Sequence, residues 1–351
     1  MPAPNTDNFP LLLALYILCK WCEYVEKNKK DIEAYGILCL LALFALTLKL
    51  SVAMIIFLTL KPAVEMLRNR KWKTIFAFVF MGILIVVPFC ARNVIISGYL
   101  VYPSTALNIF DVDWKMPTYS VVFDKKQIIA RARGFYDGIQ QYELANAMSP
   151  IEWLPTWWQH QIVAIKILSV INVILFFPFC IVNYIKLKNK AQNYDITINL
   201  TVLIQCLYWM ISAPRDRYGI VFMFFIPCMM ISHWQSTQKN TRQRLMNIFS
   251  MICLVSIMVL FGIELYRTVE KLPLKRSSYY VWRDCEEIEW EGISIYLPLE
   301  DTRAGYYFIP SVPYATKLKV LELRGDNLEE GFRIKEEYRK SKIVPSGMIL
   351  E

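Results

Sequence analysis

A chain of 351 residues that is 56% hydrophobic and 14% aromatic, with a mean hydropathy of +0.33, is too apolar for a soluble domain and reads as a multi-spanning membrane protein. Its net charge of +9 does not point to a nucleic-acid partner. Residues 267–351 hold fourteen Lys/Arg against fifteen Asp/Glu, so the surplus lies in the first 266, mostly in short loops between apolar runs, where it sets topology.

The first residues, Met1-Pro2-Ala3-Pro4-Asn5, are polar and lack a basic n-region, so they do not read as a signal peptide. Leu11–Val25 is a marginal span interrupted by Lys20 and Glu23. Tyr35–Leu60 is apolar apart from Lys49, and basic stretches flank it at Lys27–Lys30 and Arg68–Lys73. Placing both flanks in the cytoplasm requires a hairpin with Lys49 at its outer tip. Thr74–Ile96 then spans outward, with Arg92 in its last turns, where its guanidinium can reach the interface.

A long external segment follows from Ser97 to Gln159. Within it, Ile128, Ile129, Ala132, Phe135, Tyr136, Ile139, Tyr142 and Leu144 fall near one helical face, which predicts an amphipathic helix over Gln127–Met148 that Gly134 and Gly138 make imperfect. Trp153, Trp157 and Trp158 read as an interfacial aromatic girdle ahead of the span Gln161–Ile185. Lys186, Lys188 and Lys190 mark another basic loop, and Asn247–Tyr266 reads as the last span.

This alternation predicts an all-α polytopic membrane bundle of about eight membrane segments over residues 1–266, with an external loop at 97–159. Residues 267–351 are expected to form a small extracytoplasmic α+β domain. There Glu287–Leu297 reads as a hairpin through Gly292, Tyr306–Ile309 and Leu318–Leu323 as extended, Arg324-Gly325-Asp326 as a turn and Glu329–Lys340 as a short helix. Eight of nine cysteines lie in or beside apolar runs and read as small buried hydrophobes, which leaves no disulfide framework and no zinc site.

Three constellations on the expected outer face carry chemistry. Ser212-Ala213-Pro214-Arg215-Asp216-Arg217-Tyr218-Gly219 joins two long apolar runs. Its charges either cap an interfacial loop, or Arg215 and Arg217 aim their forks at a lipid phosphate. Lys49 is either a snorkelling lysine or a further phosphate ligand. Asp111 and Asp113, two apart on an extended segment, could bind a divalent cation or act as a base.

Together with Thr47–Ser51, Arg92–Tyr99, Tyr102-Pro103, Asp111–Pro117 and Ala213–Gly219, the chain resembles a family of bacterial multi-spanning membrane proteins of unknown activity. That family in turn resembles the GT-C glycosyltransferases, whose late Arg-Tyr…Pro pattern is similar to Arg217-Tyr218 followed by Pro227. The resemblance implies a bacterial cytoplasmic-membrane enzyme that moves a sugar from a polyprenyl-phosphate carrier to a glycan acceptor. It makes Arg215, Arg217, Lys49 and Arg92 phosphate ligands and Asp111 or Asp113 the catalytic carboxylate. GT-C enzymes carry that carboxylate in their first external loop, and Asp111 and Asp113 lie later. The chain thus reads as such a transferase or the C-terminal part of one, or as a non-catalytic binding or transport protein or membrane subunit for lipid-linked saccharides.

Overall fold

The computed structural model describes residues 8–29, 31–136, 138–189, 194–236, 284–299, 304 and 308–341. The chain divides into two compact units, one built on Met1–Met230 and one on Ile231–Ile349. The predicted span Asn247–Tyr266, the expected boundary at 266/267 and the first half of the predicted extension Tyr306–Ile309 lie outside the described residues.

The first unit is helical: α1 (Asn8–Glu26), α2 (Ile32–Leu48), a 3-10 segment (Leu50–Thr59) running into α3 (Leu60–Arg68), α4 (Trp72–Ser97), α5 (Thr118–Ala132), α6 (Gly138–Ala147), α7 (Pro150–His160), α8 (Val163–Lys188), α9 (Ile196–Ser212) and α10 (Asp216–Ser236). Among the described residues three helices are long and apolar enough to cross a membrane: Leu50–Arg68, Trp72–Ser97 and Val163–Lys188. Two shorter apolar helices, Ile32–Leu48 and Ile196–Ser212, accompany them. Phe76, Phe80, Val173 and Phe177 on α4 and α8 are exposed, as side chains that face lipid are.

The predicted hairpin forms. Asp31 caps α2 by accepting from the Glu33 and Ala34 N–H groups, and the helix stops at Lys49, whose backbone is extended. The 3-10 segment then packs back along α2. Non-helical backbone at Val52 (φ −102°, ψ 15°) interrupts this returning arm, and a buried glutamine from α9 satisfies the polar groups the break frees. Gln205 accepts from the Met54 N–H (3.0 Å) and donates to the Ser51 carbonyl (2.7 Å). Around this lies the core, with Trp21, Leu18 and Ile17 of α1 against Ile55, Leu58, Val202 and Phe222.

A charged node closes one end of α9. Asp195 caps the helix through the Thr197 N–H and accepts from the Trp21 indole (2.8 Å) and the Lys61 ammonium (2.7 Å). Burial works to raise the Asp195 carboxyl, but Lys61 and these hydrogen bonds outweigh it and hold it below the usual carboxylate range. The other end of α9 carries the arginine turn.

The segment 97–159, expected to be external, is more folded than a single surface helix. The expected helix over Gln127–Met148 is broken in two, because Gly134 (φ +97°) and Gly138 (φ +79°) take left-handed backbone between α5 and α6. The two helices form a hairpin tied by Lys126–Glu143 (2.7 Å) and by Arg133 Nη1 donating to the Ala145 carbonyl (2.6 Å). A capping box at Ser149 and Glu152 starts α7, and the Ser149 N–H and hydroxyl hold the Glu152 carboxyl below its ordinary range.

In the second unit β1 (Cys285–Trp290) and β2 (Ile293–Pro298) pair antiparallel as predicted, turning through Glu291 and Gly292, both at positive φ. Of the extension expected at Leu318–Leu323 only the second half is a strand, and Arg324-Gly325-Asp326 bends the chain as expected. A 3-10 turn (Ala315–Val320) precedes β3 (Leu321–Leu323), which pairs with β4 (Phe332–Ile334), and only α11 (Glu336–Arg339) remains of the predicted helix. Gly331, at φ +78°, ends the 3-10 turn Leu328–Glu330 and lets the chain enter β4.

Candidate functional site

The arginine turn starts where a proline forbids helix. Ala213, before Pro214, is pushed to φ −155°, ψ 86°, so α9 ends at Ser212. A three-residue reversal follows, with Arg215 N–H to the Ala213 carbonyl (2.7 Å), and α10 opens on Asp216, an acidic residue at the positive end of a helix dipole. Two buried indoles satisfy the carbonyls of this turn. Trp157 donates to the Pro214 oxygen (2.5 Å) and Trp209 to the Arg215 oxygen (2.7 Å), and the two rings meet edge to face at 6.1 Å. Gly219 lets α10 press against Trp209, since a Cβ there would lie 2.6 Å from the ring.

Trp157 and Trp153 are therefore core residues, each 2% exposed, packed with Ile165, Leu168, Trp209 and Met223. The girdle expected from the sequence is reduced to Trp158, because the turn's carbonyls and the α8–α10 contact take the other two indoles inward.

The rigid turn presents Arg215 and Arg217 to a cavity of about 440 Å³, completed by Gln127 and Arg131 of α5, Tyr136 and Tyr218. Arg215 Nη1 donates to the Arg131 carbonyl (3.2 Å) and the Tyr136 hydroxyl (2.8 Å), with its guanidinium 5.7 Å from the Tyr136 ring. Arg131 Nε donates to the Tyr142 hydroxyl (3.2 Å), and Arg217 Nη2 to the Tyr218 hydroxyl (3.1 Å). The Lys49 ammonium sits over the Tyr218 ring at 4.6 Å. The hairpin tip, α5 and the arginine turn thus meet at one end of the bundle. Burial, and then the charge of Arg217, push Lys49 down to about 8.

Among the described residues Arg131, Arg215 and Arg217 line the cavity, Lys49 stands across the Tyr218 ring from it, and Asp216 Oδ1 lies 3.8 Å from Arg215 Nε. Planar guanidinium forks beside phenol hydroxyls are groups that can hydrogen-bond an anion such as a phosphate.

The other predicted residues stand elsewhere. Arg92 is exposed on α4, and neither it nor Asp111 or Asp113 lines the cavity. The aspartates lie in the loop that folds back on the end of α4, where Trp114 Nε1 donates to the Val94 carbonyl and Met116 N–H to the Ser97 carbonyl. Asp113 sits in a turn closed by Lys115 N–H to the Val112 carbonyl (3.1 Å), so the strand-like alternation expected to align the two carboxylates does not apply. Lys115 is buried and anchors the loop by donating to Asn108 Oδ1 and the Phe110 carbonyl, with Tyr99 beside it. Among the described residues no three His, Cys, Asp or Glu side chains gather where they could hold a metal ion.

Sequence reasoning missed Gln127, Arg131 and Tyr136. Arg131 belongs to the polar face of the predicted amphipathic helix, which was the available signal. That this face meets a turn 84 residues later is a tertiary fact.

The model of a family described as a domain of unknown function (DUF8201) matches residues 1–224. No curated protein and no solved structure matches the chain.

Proposed function

The chain belongs to the DUF8201 family, and we propose that it holds the phosphate of a lipid-linked saccharide at the membrane surface. The observation that carries this is the convergence of Arg131, Arg215 and Arg217 on one cavity, with the Lys49 ammonium over the Tyr218 ring that lines it, in a chain with membrane-length helices. In this reading the protein sits in a bacterial cytoplasmic membrane with about eight membrane segments, its basic turns inside and its arginine turn, external helices and C-terminal domain outside. The donor is a polyprenyl-phosphate-linked sugar, in the manner of the GT-C glycosyltransferases it resembles.

Because neither Asp111 nor Asp113 lines the cavity, the geometry favours binding or presentation of the lipid-linked saccharide over sugar transfer by this chain alone. The transferase reading brings one of these carboxylates to the acceptor hydroxyl as base. It predicts that Asp111→Asn or Asp113→Asn abolishes transfer while leaving donor binding intact.

The test is binding of a polyprenyl-phosphate sugar to the protein in nanodiscs. A charge-assisted hydrogen bond contributes about 1.5–3 kcal/mol, so Arg217→Lys, which keeps the charge and loses the fork, should weaken binding roughly tenfold or more. Arg215→Lys should do the same, and Asp216→Asn should have a smaller effect. Wild-type affinity in both lysine variants would leave the arginines as a capped interfacial turn.

A further inference from the structure

A second concave site lies at the opposite end of the hairpin, away from the tip that carries Lys49. A groove of about 320 Å³ runs between α2, α3 and α4, walled by Leu40, Leu43, Ile56, Met66, Phe78 and Val79. Thr59 lines it as well, but its hydroxyl is turned to the Ile56 carbonyl at 2.7 Å, so it offers the groove no donor. From Gly36 to Leu43 the groove follows eight residues of α2, about 10 Å at the helical rise. That is too short and narrow to seat a partner helix, whose diameter with side chains is about 10–12 Å. Its chemistry fits an aliphatic chain lying along the helices.

The groove ends beside a concentrated positive charge. Just past Met66 and just before Ile75, α3 turns into α4 through Arg68, Arg70, Lys71 and Lys73, all exposed. The turn is tight, with Lys71 N–H to the Met66 carbonyl (3.0 Å), Arg70 N–H to the Leu67 carbonyl (3.1 Å) and Arg70 at φ +52°, which crowds the four cations together. The one acid in this stretch is Glu65. Trp72, 53% exposed, stands at the same level as an interfacial anchor. Basic clusters directly beside membrane helices recognise anionic lipid headgroups, and the positive-inside rule gives this one the cytoplasmic leaflet, where such lipids are enriched.

We propose that the α2–α3–α4 groove is a binding site for an anionic phospholipid of the bilayer, with one acyl chain in the groove and the phosphate headgroup on the Arg68–Lys73 turn. The site is independent of the arginine cavity, and its occupancy holds α4 against the hairpin, where Gly36 meets the Phe78 ring closely enough to exclude any side chain.

The experiment is quantification of retained lipid by native mass spectrometry after exchange of the full chain through detergent with phosphatidylglycerol or phosphatidylcholine. Wild type should retain one phosphatidylglycerol and discriminate against phosphatidylcholine. Each cation near an anionic headgroup is worth about fivefold, so Arg70→Gln/Lys71→Gln/Lys73→Gln should lower the apparent affinity by roughly a hundredfold. Ala63→Phe places a ring in the groove from an exposed position and should expel the lipid with the turn intact. The charge variant touches no core residue, so its result stands even if Ala63→Phe folds poorly. Equal retention of phosphatidylcholine and phosphatidylglycerol, or undiminished binding in the triple glutamine variant, overturns the proposal. So does a folded Ala63→Phe that binds phosphatidylglycerol like wild type, since the lipid would then be held by its headgroup alone.

Discussion

The Trp209 indole nitrogen lies 2.7 Å from the carbonyl oxygen of Arg215, so the aromatic residue that fills the core between α9 and α10 also fixes the backbone of the arginine that faces the cavity. Trp157 does the same for Pro214. Trp209→Phe keeps most of the ring volume and removes the donor. The stranded carbonyl should cost about 1–3 kcal/mol of stability and loosen Arg215, weakening anion binding several-fold. Trp157→Phe should behave alike. Thermal melts and titrations with a lipid-linked phosphate check both effects. Undiminished anion affinity in both variants would separate the turn's rigidity from its binding.

Lys49 gives the cavity a pH dependence. Burial, then Arg217, depress its ammonium to about 8, so the group is charged below that pH and neutral above it. A bound anion favours the charged form. Affinity should therefore be flat below about 8 and fall as pH rises through it, by roughly tenfold for one charge-assisted contact. Lys49→Gln should bind weakly throughout and lose the alkaline fall. Parallel profiles for the two proteins would assign the titration elsewhere.

Gln205 is buried at 0% exposure and bonds both sides of the break at Val52. Gln205→Leu leaves the Met54 N–H and the Ser51 carbonyl unsatisfied, at about 1–3 kcal/mol each, and should lower the melting temperature markedly. Gln205→Glu keeps the acceptor for the Met54 N–H and, when protonated, a donor for the Ser51 carbonyl, so it should be the milder variant in a melt at acid pH and lose that advantage at neutral pH, where a buried carboxylate would have to ionise against that carbonyl. Equal melting of the two variants would show that water replaces the side chain.

The long apolar helices Trp72–Ser97 and Val163–Lys188 were legible because hydropathy marks them directly, and Lys49 was legible as a tip because an ammonium interrupts an apolar run. The β1–β2 hairpin followed from alternation around Gly292. What the sequence hid was pairing over distance. Nothing local to Trp157 says that its N–H serves Pro214, so composition made it an interfacial residue when it is core. Likewise Arg131 reads as the polar face of an amphipathic helix until α5 is laid beside the arginine turn. Asp111 and Asp113 misled for the opposite reason, since their spacing suggested a strand where Lys115 closes a turn.

Gly134 joins the external helices to the site and offers the most specific test of that connection. Its φ of +97° costs an L-residue about 1–2 kcal/mol, and a Cβ there would stand 2.9 Å from His160 Nδ1 and 3.3 Å from the Thr156 carbonyl. His160 holds that same carbonyl at 2.8 Å and meets the Tyr136 ring edge-on at 5.6 Å. Tyr136 in turn receives Arg215 Nη1. Gly134→Ala should push His160 aside, displace Tyr136 and remove a partner that orients Arg215. The expected outcome is a lower melting temperature together with several-fold weaker anion binding. The two effects are distinguished by a double-mutant cycle with Tyr136→Phe, which deletes the hydroxyl and leaves the backbone alone. If Gly134 acts through Tyr136, the double variant binds no worse than Gly134→Ala by itself. Full additivity of the two losses would mean that the glycine matters only for the α5–α6 break.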